Sequence, residues 1–159
     1  MKLIKSQRGQ SLVELGVSLV VLLYLLSGAA EFGVLFFQYV QLRDAAQEGA
    51  LYGSMNPYID GSNGQPLNGE FDPGEAVNQA GIETRARAAS SSPIDLTDPT
   101  VIIVATSSDG SNLFCEGHGI KVTVSYDHDI FMPFMPQILN QEKITLNATV
   151  IDTILTPIC

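Results

Sequence analysis

The N-terminal third of the chain carries one long apolar run that turns into a helical alternation of apolar and polar positions. Within residues 12–30, Glu14 is the one charged residue among 19 positions. As a helix these residues would extend about 28 Å, close to the roughly 30 Å hydrocarbon core of a bilayer. No proline occurs before Pro57. The pattern therefore predicts one long helix over 10–55, with a transmembrane span at about 12–31.

The remainder of the chain, 56–159, has the pattern of one small α+β domain. Asp72 as an N-cap and Pro73 in the first turn predict a short helix over about 73–89. Three later segments are rich in apolar and β-branched residues, and the last two alternate with period two; they are 100–106, 120–126 and 144–150. We expect an α+β fold in which the long helix continues into a short helix and an antiparallel sheet of three or four strands.

Two features of this pattern leave alternatives open. Ala45, Gly49 and Gly53 place small residues at every fourth position, which lets another backbone approach the helix closely. The stripe is a candidate interface with another subunit, or it packs under the domain's own sheet. Residues 131–136, Phe-Met-Pro-Phe-Met-Pro, form an apolar connection that caps the sheet, dips toward the membrane surface, or contacts a partner.

Charge near the N-terminus predicts the topology. Three of the eight basic residues lie in the first eight positions, so the positive-inside rule places the N-terminus in the cytoplasm and the later domain outside. Glu14 then lies just inside the cytoplasmic edge of the span, where a carboxylate is costly and therefore a functional candidate. A cleaved secretory signal ending near 27–30 is the alternative, although its apolar core would be on the order of 7–15 residues.

Three short motifs along the predicted helix carry a family resemblance: Val13-Glu14 at its start, Glu31-Phe32-Gly33 near the outer end, and Ala-Ala-Gln-Glu-Gly-Ala at 45–50. Together they resemble the TadE-like pseudopilins, or minor pilins, of tight-adherence (Flp-type) pilus systems. The resemblance implies a leader peptide over 1–9 that a prepilin peptidase removes between Gly9 and Gln10.

The same resemblance implies an assembly role for Glu14, which becomes the fifth residue of the processed chain. In a filament its carboxylate would neutralise the new amine of Gln10 in a neighbouring subunit, because unpaired charges are costly at low dielectric. The implied partners are the prepilin peptidase, other pilus subunits and an inner-membrane assembly platform. The implied location is the inner membrane, as a single-pass protein with an extracytoplasmic C-terminal domain, whether or not it enters surface pili.

Charge and the lack of catalytic motifs argue against two other classes of function, nucleic-acid binding and catalysis. The formal net charge is −9, and loss of residues 1–9 leaves 5 basic and 17 acidic residues, 5 − 17 = −12. A chain with this balance and no basic patch is not expected to bind nucleic acid. Catalytic motifs are absent from the sequence, so we expect neither an enzyme nor a cofactor. A membrane-anchored or secreted surface-binding (adhesin) module remains the alternative function.

The two cysteines suggest a disulfide, and the spacing of the histidines does not suggest a metal site. Cys115 and Cys159 both fall on the outer side of the predicted topology, where an oxidising compartment permits a bridge between them. Two unpaired thiols are the alternative. His118 and His128 do not complete a zinc-like spacing with these cysteines, and Asp127-His128-Asp129 is interpreted as a solvated strand end. No metal is expected.

Overall fold

The computed structural model describes residues 9–59, 76–110, 114–133 and 135–155. Its elements follow in chain order: α1 Gln10–Met55, β1 Tyr58–Ile59, β2 Ala76–Val77, α2 Gln79–Ala88, β3 Ile102–Ser107, β4 Gly119–Asp129, α3 Met135–Leu139 and β5 Lys143–Thr153. The long helix, the short helix and a three-stranded antiparallel sheet confirm the expected α+β fold.

Helix α1 is 46 residues long, about 69 Å, and it changes character along its length. An 18-residue window has a mean hydropathy of 2.1 and is 6% buried. Among the described residues, α1 is the one helix whose length and composition would allow it to cross a membrane. From Gln38 onward, buried positions recur every three or four residues as far as Gly53 and Ser54. The first half is thus apolar on all sides, and the second half has a single buried face.

The main sheet has the strand order β3-β4-β5, with both pairs antiparallel. Alternate residues of each strand point to the same face of the sheet. The inner face packs on the buried face of α1 and on α2. Leu42 and Ile82 are fully buried on the helical side, and Ile120, Val122 and Val124 are fully buried on β4. This layer of helices against one sheet, referred to here as the head, forms the hydrophobic core.

Strand β4 runs back along α1 toward the apolar half of the helix. A Cβ atom added to Gly53 would lie 2.6 Å from Ile120 Cδ1, and one added to Gly49 would lie 3.3 Å from Val122 Cγ1. At the other end of the strand, His128 Nε2 is 3.8 Å from Glu31 Oε1. The connection from β4 to β5 is therefore brought to the C-terminal end of the predicted span.

Helix α2 starts later than the sequence pattern predicts. Ala76 and Val77 pair with Ile59 and Tyr58 in a two-stranded sheet, so the expected helix is wrong at these positions. Asn78 is the N-cap, and its side chain accepts a hydrogen bond from the Gly81 N–H at 3.0 Å. The proposed cap at Asp72 lies outside the described residues. The Asn78 cap and the pairing of β2 with β1 together set the start of α2.

Candidate functional site

The predicted processing site lies at the first turn of α1. Gly9 is the N-cap residue, and its carbonyl accepts a hydrogen bond from the Val13 N–H at 3.3 Å. The helix begins at Gln10. A Cβ atom added to Gly9 would meet nothing within 4 Å, so nothing in the fold itself requires glycine here. Residues 1–8 lie outside the described part of the chain.

Glu14 lies on the exposed surface of the apolar half of α1. Its Oε1 accepts a hydrogen bond from Gln10 Nε2 at 3.0 Å, one turn earlier in the helix. Its backbone carbonyl accepts a second bond from Ser18 Oγ at 2.8 Å. The side chain of Glu14 points away from the helix axis, where a cation on another molecule can approach it.

A second acidic residue of α1, Glu31, has the opposite environment. Glu31 is 6% exposed, and its two carboxylate oxygens accept hydrogen bonds from the backbone N–H groups of Phe131 (3.1 Å) and Met132 (3.0 Å). His128 is also 6% exposed, and its ring stands edge-on to Phe131 with centroids 6.5 Å apart. We call Glu31, His128 and the backbone of 131–132 the Glu31 clamp. The clamp ties the end of β4 to α1.

The chain beyond the clamp continues along α1 toward the N-terminus of the helix. The Tyr24 hydroxyl donates a hydrogen bond to the Pro133 carbonyl at 2.6 Å. Met132 Cε would lie 3.4 Å from a Cβ atom added to Gly28, an ordinary van der Waals distance, so Met132 packs on the helix beside Gly28. Residues 131–133 of this connection thus pack on α1 next to the predicted span.

The small-residue stripe of α1 is covered by the chain's own domain. Ala45 is fully buried, and Gly49 and Gly53 are buried as well. A Cβ atom at Gly49 would lie 3.2 Å from Ala86 Cβ, and one at Gly53 would lie 3.0 Å from Ile82 Cδ1. Packing within the chain accounts for the stripe, and a subunit contact through these three residues stays a prediction.

The Asp127-His128-Asp129 segment divides into two environments. Asp127 accepts a hydrogen bond from Thr145 Oγ1 at 2.7 Å, and Asp129 pairs with Lys143 at 3.2 Å on the surface. Hydrogen bonding to Asp129 raises the pKa of Lys143. The interpretation as a solvated strand end is wrong for His128, which faces the core side of the sheet. Among the described residues, no three or more His, Cys, Asp or Glu side chains gather as metal ligands.

The neighbourhood of Cys115 suits the predicted disulfide. Cys115 is 3% exposed. The backbone of Ile154 bonds to Gly117 (3.0 Å) and His118 (2.8 Å), so the end of β5 leaves the sheet beside the turn that follows Cys115. Cys159 lies outside the described residues, four positions beyond Leu155, a reach of at most about 14 Å. The bridge between Cys115 and Cys159 stays a prediction.

Reduction is expected to lower the melting temperature of the full chain in detergent by at least about 10 °C. The bridge would close a loop of 45 residues and contribute about 4 kcal/mol on the chain-entropy model. Cys159→Ser is the matched control, because it removes the bridge and leaves buried Cys115 in place. Its melting temperature should equal that of the reduced chain and should not respond to reductant. Wild-type melting that ignores reductant, with two reactive thiols, would contradict the pairing.

The described residues form a long N-terminal helix with an apolar first half and an α+β head attached to its second half. Residues 9–51 match the model of the family described as TadE-like protein. The match covers Gly9, Glu14 and Glu31 and confirms the resemblance over the N-terminal helix. No curated protein and no solved structure matches the chain. The apolar helix indicates membrane anchoring, and the family match indicates an association with pilus components.

The Glu31 clamp is the site that the sequence did not reveal. Glu31-Phe32-Gly33 stood out as a motif, but nothing local showed which groups its carboxylate binds. One signal was present, since His128 continues the inward-facing parity of Ile120, Val122 and Val124 on β4. A histidine at an inward position indicates a polar group in the core, and His128 Nε2 lies 3.8 Å from Glu31 Oε1, beyond hydrogen-bond distance.

Proposed function

We propose that this chain is a minor pilin, or pseudopilin, that α1 anchors in the inner membrane for the assembly of tight-adherence pili. The observation that carries the proposal is the placement of Glu14, an exposed acid five residues after Gly9 in a 46-residue helix whose residues 9–51 match the TadE-like family. The N-terminus lies in the cytoplasm and the head lies outside. The role is structural, and no catalytic step is assigned to it.

Processing and assembly are coupled at the start of α1. The prepilin peptidase cuts between Gly9 and Gln10 and creates an amine at Gln10. The Glu14 carboxylate of one subunit then pairs with the Gln10 amine of another, because either charge alone is costly in a low-dielectric environment. Before assembly, the hydrogen bond of 3.0 Å from the Gln10 side chain gives the carboxylate a partner within its own chain. The partners are other pilus subunits and the membrane platform that adds them.

The Glu14→Gln variant is expected to reduce incorporation into pili at least tenfold without changing the melting temperature of the head. Glutamine preserves the size of the side chain but removes the charge that attracts a neighbour's amine. Glu14 lies about 25 Å along the helix from Glu31, so the head does not contact it. The measurement is an immunoblot of sheared pili and of membranes, with pili counted by electron microscopy.

Glu48→Gln is the matched control, since Glu48 is an exposed acid on the same helix outside the apolar half. It should leave pilus formation and incorporation at the wild-type level. Normal incorporation of Glu14→Gln would refute charge pairing at this position. Normal pili that no longer adhere after changes to the head would favour the alternative function, a surface-binding module.

A further inference from the structure

We propose that the connection between β4 and β5, described over residues 130–133 and 135–142, is a second membrane-contacting element that enters the outer lipid interface beside α1. The proposal rests on the membrane anchoring proposed above. Its partner is the phospholipid surface at the boundary between headgroups and acyl chains. The consequence is a head attached to the membrane at two points, which fixes its tilt relative to the bilayer.

The position of the connection is the first argument. The hydrogen bond from Tyr24 to Pro133 and the packing of Met132 near Gly28 place this segment beside the last two turns of the predicted 12–31 span. Tyr24 lies seven residues before Glu31, a distance of about 10 Å along a helix. Any bilayer that surrounds the span to residue 31 therefore also meets this connection.

The backbone of the connection is the second argument. A non-helical segment is tolerated at membrane depth only where its polar groups are satisfied by protein or face water. Glu31 accepts the N–H groups of Phe131 and Met132, and the Glu142 carbonyl accepts that of Ile130 at 3.0 Å. Pro133 has no N–H, and its carbonyl accepts the Tyr24 hydroxyl. In a surface loop these polar groups would hydrogen-bond to water. Here side chains of α1 bond to three of them, the two N–H groups and the Pro133 carbonyl.

The side chains of the connection are the third argument. No charged residue occurs over 130–139. The nearest charged residues are Asp129 on one side and Glu142 on the other. Phe131 is 55% exposed and Leu139 is 45% exposed. These apolar side chains extend the lipid-facing character of α1 onto the head. Large exposed apolar patches on a protein mark an interaction surface, and an apolar segment beside a membrane span faces lipid.

Burial of the Glu31 carboxylate allows the connection to contact lipid at this level of the chain. An ionised carboxylate on the lipid-facing side of the helix would hold this level of the chain in water. The clamp encloses it at 6% exposure instead. The helix surface just beyond Glu31 is also apolar, with Phe32 69% and Phe36 60% exposed and their rings stacked at 6.5 Å. The exposed surface of α1 thus stays apolar past the level of the clamp.

Single-tryptophan fluorescence tests the proposal, because the natural chain contains no tryptophan. Phe131→Trp reports on the connection, and Leu139→Trp is a second reporter in case the first variant does not fold. Leu155→Trp is the matched control at the far end of the head, since Leu155 is 59% exposed and its N–H bonds to the Ser54 carbonyl. Leu26→Trp, at a position 58% exposed within the span, marks full lipid contact.

The full chain is reconstituted in phosphatidylcholine and phosphatidylglycerol vesicles that contain lipids brominated near the headgroup. We expect these lipids to quench the emission of the Phe131→Trp variant at least threefold more strongly than that of Leu155→Trp, with aqueous iodide giving the reverse order. Equal, weak bromolipid quenching at 131, 139 and 155, with strong quenching at 26, overturns the inference. Protection of position 131 from both quenchers also overturns it, because a second protein copy would then cover the connection. Loss of quenching at position 26 defeats the membrane anchoring itself.

Discussion

Replacing Gly9 by leucine is expected to abolish maturation of the chain while leaving its fold intact. The fold does not need glycine at this position, since an added Cβ atom meets nothing within 4 Å. In the proposed processing, the prepilin peptidase would accept only a small residue before the cut, and the leucine side chain would hinder its approach to the bond between residues 9 and 10. Mass spectrometry of the N-terminus should find the variant uncut and the wild-type chain beginning at Gln10.

Gly16→Leu is the matched control for this experiment. Gly16 also has nothing within 4 Å of an added Cβ atom and lies on the same helix, two turns further along. It should be processed at the wild-type rate, which separates recognition of the cut site from a general effect of bulk near the N-terminus. A wild-type chain that begins near residues 28–31 would instead reveal a secretory signal and would remove the basis for the pilin proposal.

The sequence predicted the helices and strands well where the apolar residues of an element recur with a clear period. The strands expected at 120–126 and 144–150 lie inside β4 and β5, which are longer at both ends. The α1 boundary was also predictable, because no proline interrupts the helix and Pro57 follows its end. The start of α2 was not predictable from Asp72 and Pro73 alone, since pairing of β1 with β2 competes for the same residues.

Long-range contacts account for what the sequence left open. The two hydrogen bonds to Glu31 join positions 100 and 101 residues apart, so no local pattern could identify the partners of this carboxylate. The small-residue stripe had the same ambiguity, because Gly49 and Gly53 suit a sheet of the same chain and a helix of another chain equally. The sequence marked Glu14 as a costly acid with an expected partner near the N-terminus, and it marked Glu31 only as part of a family motif.

Replacing Glu31 by alanine is expected to release the β4–β5 connection from α1 without unfolding the head. The change removes the acceptor for two backbone N–H groups, and hydrogen bonds to a charged group contribute about 1.5–3 kcal/mol each. Two such bonds correspond to at least about a 100-fold change in the opening equilibrium, since about 1.4 kcal/mol is tenfold. Hydrogen exchange of peptides spanning 130–133 in the full chain should accelerate by that factor.

The pattern of exchange across variants separates the clamp from general destabilisation. Glu31→Gln keeps one carbonyl oxygen as an acceptor, so its exchange should fall between the wild type and Glu31→Ala. Glu48→Ala removes an exposed acid of the same helix and should change nothing at 130–133. The centre of β4 around Val122 and Val124 is fully buried and should keep its protection in every variant. Unchanged exchange at 130–133 in Glu31→Ala would show that packing of Met132 against α1 holds the connection, and that the carboxylate does not.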